Sequence, residues 1–164
     1  MRARDLGIKF EGQPGALNAI TDVPGLEVGM VTLISGEGDL IPDGGPVRTG
    51  VTAILPVGKT DTQQAIPAGI YSLNGNGEMT GSHWINETGG LSGPIMITNT
   101  HAVGTVHRGV IEWVKQNFPE AAMEWLLPVV AETWDGYLND INGAHVKTEH
   151  AISAINSATG GQVS

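Results

Sequence analysis
Residues 70–104 read IYSLNGNGEMTGSHWINETGGLSGPIMITNTHAVG, and the fold turns on how this stretch is read. Asn74-Gly75-Asn76-Gly77 marks a turn, because Asn and Gly accept positive φ at little steric cost. Residues 78–84 are too varied for a linker and too polar for a plain core strand. Gly93-Pro94 then punctuates the chain, and Pro94-Ile95-Met96-Ile97 predicts a short buried strand. Thr98-Asn99-Thr100-His101 follows, a polar run directly ahead of a helical pattern. A strand that hands polar side chains to a helix N-terminus is a common place to build a site. The plainer alternative is an ordinary strand–loop–helix connection with a capped helix.

Outward from this centre, Val103, Val106, Val110, Trp113 and Val114 recur at helical spacing. Pro119 stands just past Phe118, so a helix is expected over 103–118. Residues 26–34 alternate and are rich in β-branched side chains, which predicts a strand. Residues 50–56 are nearly all apolar and predict a strand buried on both faces. Further strands are expected at 65–73 and 128–133, with a strand or arm at 6–10. Residues 35–49 read as a surface loop, 120–127 as a short helix or turn, and 137–143 as a loop. A second helix is expected from a Thr148 cap through Ser157, with Ala151, Ile152, Ile155 and Ala158 on one face and Gly160-Gly161 as the stop. Strands followed by strand–helix–strand–helix, without an obvious linker, indicate one α/β domain over 1–164.

Composition narrows the function. The formal charge of −9 disfavours nucleic acid and anionic membranes as partners, since both call for basic patches. It suits a cationic ligand such as a free amine. Cysteine is absent, which excludes disulfides, thiolate catalysis and zinc–thiolate sites. The opening Met1-Arg2-Ala3-Arg4-Asp5 lacks the apolar run of a signal peptide, so a cytoplasmic location is expected. No apolar stretch is long enough to span a membrane. Gly36-x-Gly38 and Gly75-x-Gly77 complete no dinucleotide fingerprint, and there is no phosphate loop.

Three chemistries come under test. His83, His101, His107, His145 and His150 form no HExxH pair, and His101 and His107 are badly spaced for one helix face; no metal site is expected. Ser82-His83 lacks a GxSxG elbow, and a Ser–His–Asp triad is set aside. The block Glu132-Thr133-Trp134-Asp135-Gly136-Tyr137 is more informative. Two carboxylates, a Trp and a Tyr cluster where a buried strand ends. Aromatic bodies with one polar tip suit the wall of a ligand pocket, and Glu132 or Asp135 beside them suits a substrate ammonium, with Trp134 in the wall. The competing reading is an aromatic anchor that packs a loop.

The blocks GNGEMTGSHWI (75–85), GPIMITNTHAVG (93–104) and ETWDGYLNDING (132–143) resemble the DmpA-type aminopeptidases, a self-processing family that includes the β-peptidyl aminopeptidases. RARDLGI and GALNAITDVPGLEVG are similar to the start of that family's precursor, so the resemblance runs through nearly the whole chain. The family precursor is considerably longer. The resemblance implies an α-β-β-α sandwich, two sheets between helical layers, incomplete without the rest of the precursor and assembled as a tetramer. It implies an aminopeptidase acting on short peptides, amides or esters of α- or β-amino acids, with no metal or organic cofactor. The precursor cuts itself ahead of a serine, which then begins a β-type subunit and acts as nucleophile. On this resemblance the serine lies downstream, Ser164 is not it, and this chain is the N-terminal portion of the α-type subunit, inactive alone. Tyr137, the tyrosine of the ETWDGYLNDI motif, would stabilise the oxyanion. The rival readings are acyl transfer of the ornithine acetyltransferase type and a non-catalytic binding or assembly module.

Overall fold
The computed structural model describes residues 3–121 and 125–162, and the structural statements below concern those residues. The expected helix or turn at 120–127 lies partly outside them, and Ser164 wholly. Four strands form one sheet: β1 (Glu27–Ser35), β2 (Val47–Leu55), β5 (Ile95–Asn99) and β6 (Val129–Thr133). Their order is β1-β2-β5-β6. β1 with β2 and β2 with β5 run antiparallel, while β5 and β6 are parallel. The crossover between the parallel strands is α2 (Val103–Asn117). A second, two-stranded sheet joins β3 (Ile66–Pro67) to β4 (Gly90–Leu91), with α1 (Ser82–Thr88) between them in sequence. The last helix is α3 (Thr148–Ser157).

The core lies between the four-stranded sheet and the layer of α2 and α3. Strand alternation sends Val51, Ala53 and Leu55 of β2, Met96 of β5 and Val130 of β6 to this side. They meet Val106, Val110, Trp113 and Val114 of α2 and Ala151, Ala154 and Ile155 of α3, all buried. The helical spacing of α2 therefore delivers the apolar face expected of it. Close approach sets residue size here. A Cβ on Gly29 of β1 would collide with the Ala154 carbonyl oxygen, and one on Gly109 of α2 would lie 2.7 Å from the Ala151 methyl. The opposite face of the sheet is more open: Met30 and Ile34 of β1 are 39% and 69% exposed.

Both sheet edges are partly covered. Val28 and Thr159 exchange two backbone hydrogen bonds at 3.1 Å, which closes one end of β1. Residues 78–80 cover β6: Thr80 N donates to Val130 O and Glu132 N to Glu78 O, both at 3.0 Å. The central polar stretch thus lies along the edge of β6.

Several local expectations need correction. Residues 6–10 form no strand; a 3-10 turn at Ala3–Leu6 leads into unpaired chain, because no neighbouring strand lies beside it to accept its hydrogen bonds. Of the expected strand 65–73 only Ile66–Pro67 is a strand, paired with Gly90 and Leu91, and Ala68 N adds a bond to Gly89 O at 2.9 Å. β1 and β2 extend to Ser35 and from Val47, shortening the loop expected at 35–49; the Arg48 side chain clamps this end through the carbonyls of Ser35 and Gly36, at 2.9 and 2.8 Å. α1 was not foreseen. Lys147, not Thr148, takes the N-cap position of α3; its side chain makes no capping bond, and its backbone N–H donates to His150 Nδ1 at 3.0 Å. Among the described residues no helix is long and apolar enough to cross a membrane.

Gly29→Ala is expected to cost about 1–3 kcal/mol of stability, because α3 must move off β1 to admit the methyl. Gly104→Ala, where an added Cβ meets nothing within 4 Å, is the control and is expected to be neutral or mildly stabilising. Denaturant unfolding of both variants in the complete protein checks the contrast; equal stabilities would contradict the packing argument.

Candidate active site
The two parallel strands end level with each other, Asn99 beside Thr133 and Thr98 beside Glu132. Carboxyl ends of parallel strands are where α/β sheets bind ligands. Asn99, 6% exposed, closes β5 and opens the next turn. Its Oδ1 accepts from the N–H groups of His101 and Ala102 at 3.1 and 3.0 Å, which caps the 3-10 turn Thr100–Ala102 ahead of α2. Its amide donates to Thr49 Oγ1 on β2 at 2.9 Å. The polar run TNTH is therefore both capping device and site wall.

Glu132, half-buried near the end of β6, accepts a hydrogen bond from Thr100 Oγ1 at 2.5 Å. Trp134, Asp135 and Tyr137 lie in the loop beyond β6. Trp134 and Tyr137 pack edge-to-face with centroids 4.6 Å apart, and both are exposed, Tyr137 by 85%. A Cβ on Gly136 would lie 2.7 Å from the Trp134 indole, so the glycine lets that ring fold back over the chain. The Asp135 carbonyl accepts from the N–H groups of Leu138 and Asn139, both at 3.1 Å, and its carboxylate accepts from the Asn139 side chain at 3.0 Å. Asp135 also lines a cavity of about 230 Å³ over the open sheet face, beside Met30, Thr52, Ile97, Asn99 and Thr133. The structure thus joins Trp134 to Tyr137 and Asp135 to Asn139, while Glu132 pairs instead with Thr100.

A larger apolar cavity of about 280 Å³, walled by Trp84, Trp125, Ile85, Leu91 and Val129, contains none of these residues. It lies at the start of β6, and among the described residues its walls hold no acid or base. Among the described residues no group of three His, Asp or Glu side chains is placed to hold a metal ion.

Sequence reasoning missed the buried pair behind the loop. Asn139 and Asp140 are 1% and 3% exposed. Asn139 Oδ1 accepts from Arg48 N at 3.0 Å, tying the loop to β2. Asp140 Oδ2 accepts from His145 Nε2 at 3.0 Å, and Oδ1 from Asp43 N at 3.1 Å. The hydrogen bond from His145 holds the Asp140 carboxyl below its ordinary value; burial opposes, and the backbone N–H groups of Asp43 and Gly45 assist. The available signal was two adjacent polar residues framed by Leu138 and Ile141.

These features define an α/β protein whose polar site stands at the ends of a parallel strand pair. The model of peptidase family S58 matches residues 18–164, and the chain belongs to that family. It is 58% identical over 163 residues to a β-peptidyl aminopeptidase, BapA, of Sphingosinicella microcystinivorans; the match takes in 99% of this chain and 40% of that protein. The solved L-aminopeptidase D-Ala-esterase/amidase of Ochrobactrum anthropi superposes with a TM-score of 0.86 at 44% identity, over 99% of this chain and 46% of that one. Its structure is described as a prototype for the serine aminopeptidases and a variant of the Ntn-hydrolase fold. A β-aminopeptidase from Burkholderia sp. gives a TM-score of 0.85 at 46% identity, over 99% and 45% of the two chains. The chain therefore spans less than half the length of these relatives. The resemblance read from the sequence blocks is borne out, as is the layered α/β fold.

Asp140 gives a pH prediction. Its folded pKa lies below the unfolded value of about 4, so its contribution is fully present above that value and is lost as pH falls toward the folded one. The stability gap between the native protein and Asp140→Asn should shrink as pH falls below about pH 4. Chemical denaturation at a series of pH values measures it; a gap that does not change down to pH 3 would contradict the pairing.

Proposed function
We propose that this chain supplies the amine-recognising part of an aminopeptidase that releases N-terminal α- or β-amino acids from short peptides, amides or esters. The observation that carries this reading is the Glu132 carboxylate, half-buried at the strand end and held by Thr100. Membership of peptidase family S58 and the aminopeptidase names of the relatives support it. The nucleophile is a serine outside residues 1–164 that begins its own polypeptide, with its α-amine as base. Its hydroxyl oxygen attacks the substrate carbonyl, the C–N or C–O bond breaks, and the proton passes to the leaving amine or alcohol. Water then cleaves the acyl-enzyme. The partners are the remaining α-type sequence and the β-type subunit, assembled as a homotetramer of processed units.

Within this machinery Glu132 pairs with the substrate ammonium, and Trp134 and Asp135 wall the approach. Tyr137 donates to the oxyanion. A phenol of ordinary acidity is neutral near pH 7 and donates while uncharged. Its exposure in this chain leaves the hydroxyl free to face a surface that other segments complete.

In the complete enzyme, Glu132→Gln should lower kcat/KM for free-amine p-nitroanilides by about tenfold to a hundredfold, the worth of a charge-assisted contact of about 1.5–3 kcal/mol. The same acyl groups without the amine should be nearly unaffected. Tyr137→Phe should cut kcat about a hundredfold with little change in KM or melting temperature. Equal losses on both substrate types would remove Glu132 from amine binding, and an intact kcat would remove Tyr137 from catalysis.

A further inference from the structure
The two oxygens of Glu132 meet different neighbours. Oε2 accepts the 2.5 Å bond from the Thr100 hydroxyl. An ionised carboxylate only accepts, so the hydroxyl proton points at it, and O–H···O⁻ bonds this short are the strong, charge-assisted kind. Thr100 has little freedom of its own. It opens the 3-10 turn Thr100–Ala102, which Asn99 caps from within the strand and ties to Thr49. A rigid path of hydrogen bonds thus runs from β2 through Asn99 to the turn, and from the turn through Thr100 to the carboxylate.

Oε1 faces the Asn74-Gly75-Asn76-Gly77 turn. A Cβ built on Gly77 would lie 2.9 Å from Oε1, and beyond its chain neighbours the atoms it would meet within 4 Å among the described residues belong to Glu132. Gly77 is not among the residues with positive φ. The backbone therefore does not demand glycine at this position; the carboxylate does. A side chain there would cover Oε1 or push the carboxylate off Thr100.

We infer that Thr100 and Gly77 are the positioning residues of an ammonium-binding carboxylate: Thr100 fixes its rotation by holding Oε2, and Gly77 keeps Oε1 open to a primary ammonium. The inference rests on the amine-binding role of Glu132 given above. It assigns a use to the NGNG turn, which the reaction itself leaves unexplained. It also divides the carboxylate's work between its oxygens, one for support and one for substrate.

The test uses the complete enzyme with its processed subunits. The probes are an amino-acid p-nitroanilide and the same anilide without its amine, the latter as substrate or competitive inhibitor. Thr100→Val keeps the shape and removes the donor. It should raise KM for the amine substrate about tenfold, with kcat within about threefold and the amine-free probe within about twofold. Thr100→Ser should restore native KM, and Gly77→Ala should raise KM in the same sense. On a Glu132→Gln background, Thr100→Val should add nothing, because both changes act through one contact. A merely structural role would be additive and would affect both probes equally. If Glu132→Gln raises KM for the amine substrate and Thr100→Val does not, the positioning role is overturned while the amine-binding role stands. If Glu132→Gln itself leaves the preference for the amine unchanged, that reading and this inference fall together. Should Thr100→Val fail to fold, Gly77→Ala decides: unaltered amine selectivity in it overturns the proposal.

Discussion

The parallel pairing of Ile95–Asn99 with Val129–Thr133 sets the geometry of everything that follows it in space. It places Thr98 opposite Glu132 and Asn99 opposite Thr133. A slip of one residue would turn Glu132 to the other face of the sheet. With the register as it is, the first residue past β5 reaches the carboxylate near the end of β6, across 32 positions of sequence. The register is held from both sides. α2 packs Val106 and Val110 into the same core as Met96 and Val130, and Thr80 fixes the outer edge of β6 through its backbone N–H and its hydroxyl, which accepts from Val130 N at 2.9 Å.

The loop beyond β6 depends on the same frame. Asn139 and Asp140 are almost wholly buried, so each must find protein partners. They take them from β2 and from the loop ahead of it, at Arg48 and Asp43. The segment carrying Trp134, Asp135 and Tyr137 is thereby anchored at its far end, while its aromatic rings remain outside. The base of the loop is buried and its aromatic tip exposed, and the relatives are more than twice the length of this chain.

Much of the fold was legible because it obeys simple periods. β1 alternates, residues 50–55 of β2 are mostly apolar although only alternate ones, Val51, Ala53 and Leu55, are buried rather than both faces, and α2 repeats its apolar residues at helical spacing. α1 was not legible: its seven residues bury only Ile85, and its limits are set by left-handed glycines at Gly81 and Gly89 rather than by polar caps. Residues 6–10 alternate like a strand but have no partner strand, and alternation cannot supply one. At the site, composition marked Glu132 and Asp135 as carboxylates beside aromatics, yet it grouped them together. Their separation arises from the strand's alternation and from the turn after it. Thr100 and Gly77 were invisible as helpers, since both meet Glu132 only through tertiary contact.

On the proposed function, this chain frames and recognises the substrate amine while the reacting nucleophile lies elsewhere. Acyl mapping tests it most directly. The complete enzyme is mixed with an amino-acid p-nitrophenyl ester, quenched in acid, digested, and the acyl group located by tandem mass spectrometry. The expected result is a single acylated serine that begins a polypeptide and lies outside residues 1–164. Stoichiometric acylation of Ser82, His83 or any other side chain within this chain would contradict it.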